Sequence, residues 1–119
     1  MFGEILREIV TGTPGAVGAV LMGYDGIAID QHFREYEGED LSLIAIEYAN
    51  VLKEIRKTAE ILDLGAMEEV SVKTGRLIVV LHTVGDEYFV ALTLLRDGNY
   101  GKVRYLLQRE TPRLQEALA

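Results

Sequence analysis

Residues 40–64 read Asp-Leu-Ser-Leu-Ile-Ala-Ile-Glu-Tyr-Ala-Asn-Val-Leu-Lys-Glu-Ile-Arg-Lys-Thr-Ala-Glu-Ile-Leu-Asp-Leu. Within them Leu41, Ala45, Tyr48, Leu52, Ile55, Ala59 and Leu62 recur at alternating spacings of four and three, the period of one helix face. Glu39-Asp40 precedes the run, where negative charge suits the helix dipole, and Gly65 follows it as the candidate C-cap. Arg56 and Glu60, like Glu54 and Thr58, are one turn apart, so the outer side of the later half reads as solvated. The first half differs. Leu43 and Ile46 fall opposite the apolar stripe, with Asn50, Glu54, Lys57 and Ile61 below them. A helix with one apolar face packs on a sheet, whereas one that is apolar on two faces needs a second cover. A loop or neighbouring helix of the same chain could supply it. A partner subunit is the preferred reading, and it puts Leu43, Ile46 and the adjacent Glu47 in a dimer interface.

Working outward, Phe2, Ile5, Leu6, Ile9 and Val10 predict a short amphipathic helix that stops at Gly12 and Pro14. Ala16–Met22 is a continuous run of small apolar residues, a strand covered on both faces. Asp25-Gly26 is a hairpin signal, and Ile27–Arg34 then alternates as a half-exposed strand. Beyond the long helix, Val70 and Val72 alternate with Glu69, Ser71 and Lys73, which suits a charged edge strand. Leu77–His82 reads as an interior strand and Tyr88–Leu95 as its hairpin partner. Lys102–Leu118 has helical spacing, with Pro112 expected to kink it or to start a fresh turn after Thr111. Tight turns within each strand group make the pairing antiparallel, and strands buried on both faces call for helices on both sides of one five-stranded sheet. The order helix, two strands, helix, three strands, helix is an α+β arrangement, expected to form one domain over residues 1–119.

Composition narrows the function classes. A hydrophobic fraction of 49% with 26% charged residues is that of a soluble globular protein. A net charge of −7 disfavours nucleic-acid backbones and anionic membrane surfaces, both of which are held by clustered Lys and Arg. The chain has no cysteine, so disulfides, thiolate metal sites and thiol catalysis are excluded. Acidic residues interrupt the apolar pattern of the first ten residues, which is therefore no signal peptide, and no apolar run reaches membrane-spanning length. A cytoplasmic location is the expectation.

Nothing in the residues has the signature of an enzyme. The loop Gly12–Gly18 resembles a phosphate cradle only superficially, because it lacks the Lys-Ser/Thr ending that would reach a terminal phosphate and its metal ion. His32 and His82 fall on separate strands without metal-ligand spacing. Ser42 and Ser71 lie in no nucleophile elbow. Glu35, Glu37, Glu39 and Asp40 crowd one loop, the usual form of a solvated charge run. No catalytic residue, metal or cofactor is therefore expected, and the reading favours a binding module.

Two stretches carry a family resemblance. Ala16-Val-Gly-Ala-Val-Leu-Met-Gly-Tyr-Asp-Gly-Ile-Ala-Ile29 is a small-residue strand, an acidic-Gly turn and a second strand; Asn99-Tyr-Gly-Lys-Val-Arg-Tyr-Leu-Leu107 is a Gly-containing approach to a basic-apolar helix. In their order around one long helix they resemble the roadblock / dynein light chain domain, in its bacterial, MglB-like branch. The resemblance implies the long helix on one face of the sheet and the terminal helices on the other. It also implies a homodimer in which long helices pair and edge strands join, which would add Val70 and Val72 to the interface. Members partner or regulate small Ras-like GTPases or serve as adaptors, and the MglB-like ones promote GTP hydrolysis without donating a catalytic arginine. The chain departs from that branch in the charged stretch Lys53–Lys57 and in ending at Ala119 without an acidic tail. The resemblance thus implies a dimeric, non-catalytic GTPase regulator. Its expected docking surface is the open middle of the paired helices, at Asn50, Glu54 and Lys57. A nucleotide-independent scaffold and a small-molecule sensor with a pocket between sheet and helix are the alternatives.

Overall fold

The computed structural model describes every residue from Met1 to Ala119. Strand β1, Ala16–Gly23, is buried along its whole length as the apolar run requires. The Asp25-Gly26 turn returns the chain into β2, Ala28–Phe33; Gly26 takes φ +85° and the Asp25 carboxylate accepts from the Ile27 N–H at 3.0 Å. After the long helix, β3 (Glu69–Lys73), β4 (Leu77–Val84) and β5 (Tyr88–Leu95) form a meander, and β5 pairs with β1. The antiparallel sheet has the order β2-β1-β5-β4-β3, so β2 and β3 are its edges.

Each face of the sheet carries its own core. On one side α1, Phe2–Thr11, and α3, Tyr100–Leu118, pack Leu6, Ile9, Leu107 and Leu114 onto Ala19, Leu21, Val80 and Leu92. On the other, α2, Leu41–Ile61, packs Ala45, Ala49 and Leu52 onto Val20, Leu81, Phe89 and Ala91. The expected α+β architecture, with the long helix opposite the terminal pair, is the observed one.

Several local readings need correction. The inward stripe of α2 is Leu41, Ala45, Ala49 and Leu52, whereas Ile55 and Leu62 are exposed. A repeat alternating four and three averages 3.5 residues per turn, so on a straight 3.6-residue helix it drifts by about 20° every seven residues. By Leu62 the stripe has rotated off the sheet. The same rotation turns Arg56 inward: its guanidinium lies 4.0 Å from the Tyr24 ring centroid and Nη1 donates to the Asp86 carbonyl at 2.5 Å. Gly65 is not the C-cap. The helix closes in a Schellman motif, with Asp63 at φ +54°, its N–H on the Glu60 carbonyl and the Leu64 N–H on that of Ala59. At the other end, the Asp40 carboxylate caps the Ser42 and Leu43 amides, as the acidic start predicts.

Helix α3 starts earlier than expected, with Asn99 capping the Lys102 amide, and passes through Pro112 without ending. The proline leaves the Gln108 carbonyl without its usual i+4 amide donor, on an exposed turn where water can replace it. The glycine loop before β1 is a packing joint. The amides of Gly12, Thr13 and Ala16 are bonded to the Glu8, Val10 and Thr13 carbonyls, so they are not free to cradle a phosphate. Gly15 has φ +88°, and a Cβ there would lie 2.4 Å from the Gly98 Cα.

Candidate functional site

Helix α2 presents to solvent the residues that its inward face does not use. Leu43 and Ile46 lie opposite Ala45 and Leu52 and are exposed, Leu43 by 52%. Glu47, Asn50, Glu54 and Lys57 are exposed on the same side. The later half is less solvated in character than its charges suggest, because Val51, Ile55, Ile61 and Leu62 are exposed beside them, followed by Leu64. Val51, Ile55, Ala59 and Leu64, with Glu54 and Thr58, line a shallow groove along this flank. Of the chain's eleven exposed large hydrophobic residues, seven lie between Leu43 and Leu64. Scattered apolar residues are normal on a surface, whereas this concentration makes the outer face of α2 the candidate interaction site.

The other expected interface residues lie on the edge strand β3. Val70 and Val72 are half-buried on the sheet face that α2 covers, and Val70 packs against the same core as Ala49 and Leu52. Glu69, Ser71 and Lys73 point to the face covered by α3. There the Tyr100 hydroxyl donates to Ser71 Oγ at 2.8 Å, and Arg104 Nε donates to Glu69 Oε2 at 2.6 Å. The carboxylate raises the Arg104 pKa through that hydrogen bond first and by its charge second. His82, opposite Glu69 across the β3–β4 ladder, places Nδ1 3.4 Å from the other carboxylate oxygen.

This cluster borders a cleft of about 750 Å³ at the end of the sheet, between the C-terminal half of α2 and the middle of α3. Tyr24, Arg56, Glu60, His82 and Gln108 are among its walls. Both arginines on the cleft are already engaged, Arg56 by the Asp86 carbonyl and Arg104 by Glu69. Tyr24 is only 7% exposed, and its hydroxyl has no hydrogen-bond partner. Burial raises its pKa above 10.0, an effect that the Arg56 guanidinium opposes and the Asp86 carboxylate reinforces. The cleft shows no nucleophile–base pair, and no three His, Asp or Glu side chains in the chain converge as a metal site.

The sequence reading missed Arg56, Tyr24 and the Glu69–His82–Arg104 cluster. The Glu69–His82 half was accessible, since a hairpin turning at Thr74-Gly75 fixes which residues face each other. Arg104 arrives from a separate element, and no local signal announces it.

Comparison with known proteins gives this arrangement a family. A family model described as Roadblock/LC7 domain matches residues 2–94. The structure of MglC from Myxococcus xanthus is 37% identical over 98% of each chain, with a TM-score of 0.71. A Roadblock/LC7 domain from Streptomyces avermitilis superposes with a TM-score of 0.85 at 17% identity, over 98% of this chain and 96% of that one. The gliding protein MglB from Thermus thermophilus gives 0.83 at 20% identity, over 95% and 84%. Curated protein sequences give no match. The match over residues 2–94 and the identity to MglC agree with the sheet order and the two-sided helix layers, and the chain belongs to the Roadblock/LC7 domain family.

Proposed function

We propose that this chain is a dimeric, non-catalytic regulator or adaptor of a small Ras-like GTPase. The observation that carries the reading is the outer face of α2, where apolar residues from Leu43 to Leu64 stand uncovered on a helix whose other face is fully used by the sheet. Leu43, Ile46 and the flank Val51–Ile55–Leu64 suit a second copy, because two such helices would cover one another's apolar surface. The family resemblance supports the same partner. Once the helices pair, Asn50, Glu54 and Lys57 form a polar, charged strip at the middle of the joint surface. Such a strip suits a reversible partner, since the rim of a transient interface is no more apolar than ordinary surface.

Any effect on hydrolysis would come from position. Phosphoryl transfer needs an ordered switch region and a placed water more than a new reacting group. A regulator that braces the switches therefore requires no active site of its own.

Pulldown of purified small GTPases loaded with GDP or a GTP analogue tests the reading. Preference for one nucleotide state supports it. Binding blind to nucleotide would indicate a scaffold, and absence of binding to any Ras-like GTPase from the same cell would reject the GTPase role. Reversing the charges of Glu54 and Lys57 together should leave folding intact while weakening binding several-fold, chiefly through the association rate and its salt dependence. Unchanged affinity in that folded double variant would move the docking surface elsewhere.

A further inference from the structure

Charge is unevenly distributed over this chain. Its net charge is −7, yet between residues 102 and 113 helix α3 exposes Lys102, Arg104, Arg109 and Arg113, and the one carboxylate among them, Glu110, is buried. Val103, Leu106, Leu107 and Leu114 face the sheet, so Lys102, Tyr105 and Arg109, at spacings of three and four, form a stripe on the outward face. Arg104 and Arg113 stand on the two flanks of that stripe, and both are committed within the fold. Arg104 Nε donates to Glu69 of β3, and Arg113 Nη1 donates to Glu8 of α1 and to Glu110.

The stripe itself holds nothing together. Lys102 takes part in no ion pair within the chain. Arg109 has one weak ion-pair contact, from Nη2 to Glu110 at 3.8 Å, and its guanidinium lies 5.8 Å from the Tyr105 ring centroid. Tyr105 is 59% exposed, although a tyrosine ring is large and mostly apolar. A solvated charge run mixes its signs or carries no aromatic residue. An exposed tyrosine between two uncommitted cations has instead the composition of an interface anchor, where Tyr and Arg are over-represented.

We propose that the outward face of α3 docks an acidic segment of a partner protein, one presenting two carboxylates about 10 Å apart with an apolar residue between them. That separation is the helix rise from Lys102 to Arg109. The carboxylates pair with these two cations while the apolar side chain packs on the Tyr105 ring. Charge complementarity selects the sign of the partner, and the extent of the patch selects its kind. A nucleic-acid strand or an anionic membrane would run past the stripe onto a molecule whose other residues carry the whole net negative charge. A short acidic segment stays within the ~8 Å over which physiological salt leaves a local charge effective. Helix α3 and helix α2 lie on opposite faces of the sheet. The chain would thereby hold a second partner while α2 is engaged, through a docking surface additional to the one in the GTPase reading.

A random-peptide display library panned against the immobilised wild-type chain, with the Lys102→Glu, Arg109→Glu variant for counter-selection, tests the proposal. Enriched peptides should carry paired Asp or Glu around an apolar residue. No enrichment, or enrichment without acidic bias, overturns it. An enriched peptide, fluorescently labelled, then gives affinities by anisotropy. Lys102→Glu and Tyr105→Ala should each weaken binding about tenfold, Lys102→Gln should weaken it less than Lys102→Glu, and added salt should weaken it throughout. The urea midpoint should stay unchanged in all three variants, because both positions are exposed. Wild-type affinity in either Lys102→Glu or Tyr105→Ala would contradict the assigned face. Reversing the charges of Glu54 and Lys57 on α2 should leave peptide binding intact even where it abolishes GTPase binding, so the two readings fail separately. Loss of peptide binding in that variant would place the peptide on α2 and overturn the proposal. Displacement of the peptide by phosphatidylserine vesicles or single-stranded RNA at lower concentration than by unlabelled peptide would also overturn it, assigning the face to a membrane or a nucleic acid.

Discussion

Single residues in this protein show where backbone geometry and burial override type. Tyr24 sits in the α2-side core with an unpartnered hydroxyl, which costs free energy without a compensating bond. Tyr24→Phe should therefore be neutral to stabilising, by up to about 1 kcal/mol in chemical denaturation. Because burial raises its folded pKa above 10.0, the stability tied to the neutral phenol is fully present below that pH and is lost as pH rises beyond it. The difference in stability between wild type and Tyr24→Phe should change only above about pH 10. Gly15 behaves in the opposite way. With φ +88° and the Gly98 Cα where its Cβ would go, Gly15→Ala should destabilise by roughly 2 kcal/mol or more, seen as a lowered Tm. That this loop is rich in glycine is plain in the sequence. The contact that makes Gly15 irreplaceable joins residues 15 and 98, and nothing local encodes it.

At the scale of elements, α2 carries most of what the sequence could and could not tell. Its length, its acidic cap at Asp40 and the outward position of Leu43 and Ile46 followed from spacing near the start, where a 3.5-residue repeat and a 3.6-residue helix still agree. The error accumulated along the helix. By the last two turns it had moved Ile55 and Leu62 outward and Arg56 inward onto Tyr24. Its stop was obscure for another reason: the left-handed position belongs to Asp63, while the glycine lies two residues later. Leu52, fully buried in the middle of the inward stripe, is the anchor of the layer, and Leu52→Ala should cost about 3 kcal/mol in urea unfolding. Leu43→Arg should leave that unfolding free energy almost unchanged at concentrations where the protomer is alone, because the residue is exposed there. The two substitutions thus separate the face that holds the fold from the face that is free to bind.

Over the whole molecule, the two helix layers solve opposite problems. The α1–α3 side is closed by its own contacts, including Arg113 Nη1, which bridges Glu8 of α1 at 3.0 Å and the buried Glu110 at 2.7 Å. The α2 side covers the sheet with one helix and leaves that helix's outer surface uncovered. Asymmetry of this kind is the reason to expect a second copy, and a dimer is the footing on which the GTPase reading stands. Sedimentation velocity across the micromolar range is the direct test. The wild-type chain of 13.2 kDa should sediment at twice that mass, and the Leu43→Arg, Ile46→Arg variant should sediment as a folded monomer or lose solubility, since pairing would bury unpartnered charge. A wild-type protein that remains at 13.2 kDa throughout that range would contradict the account.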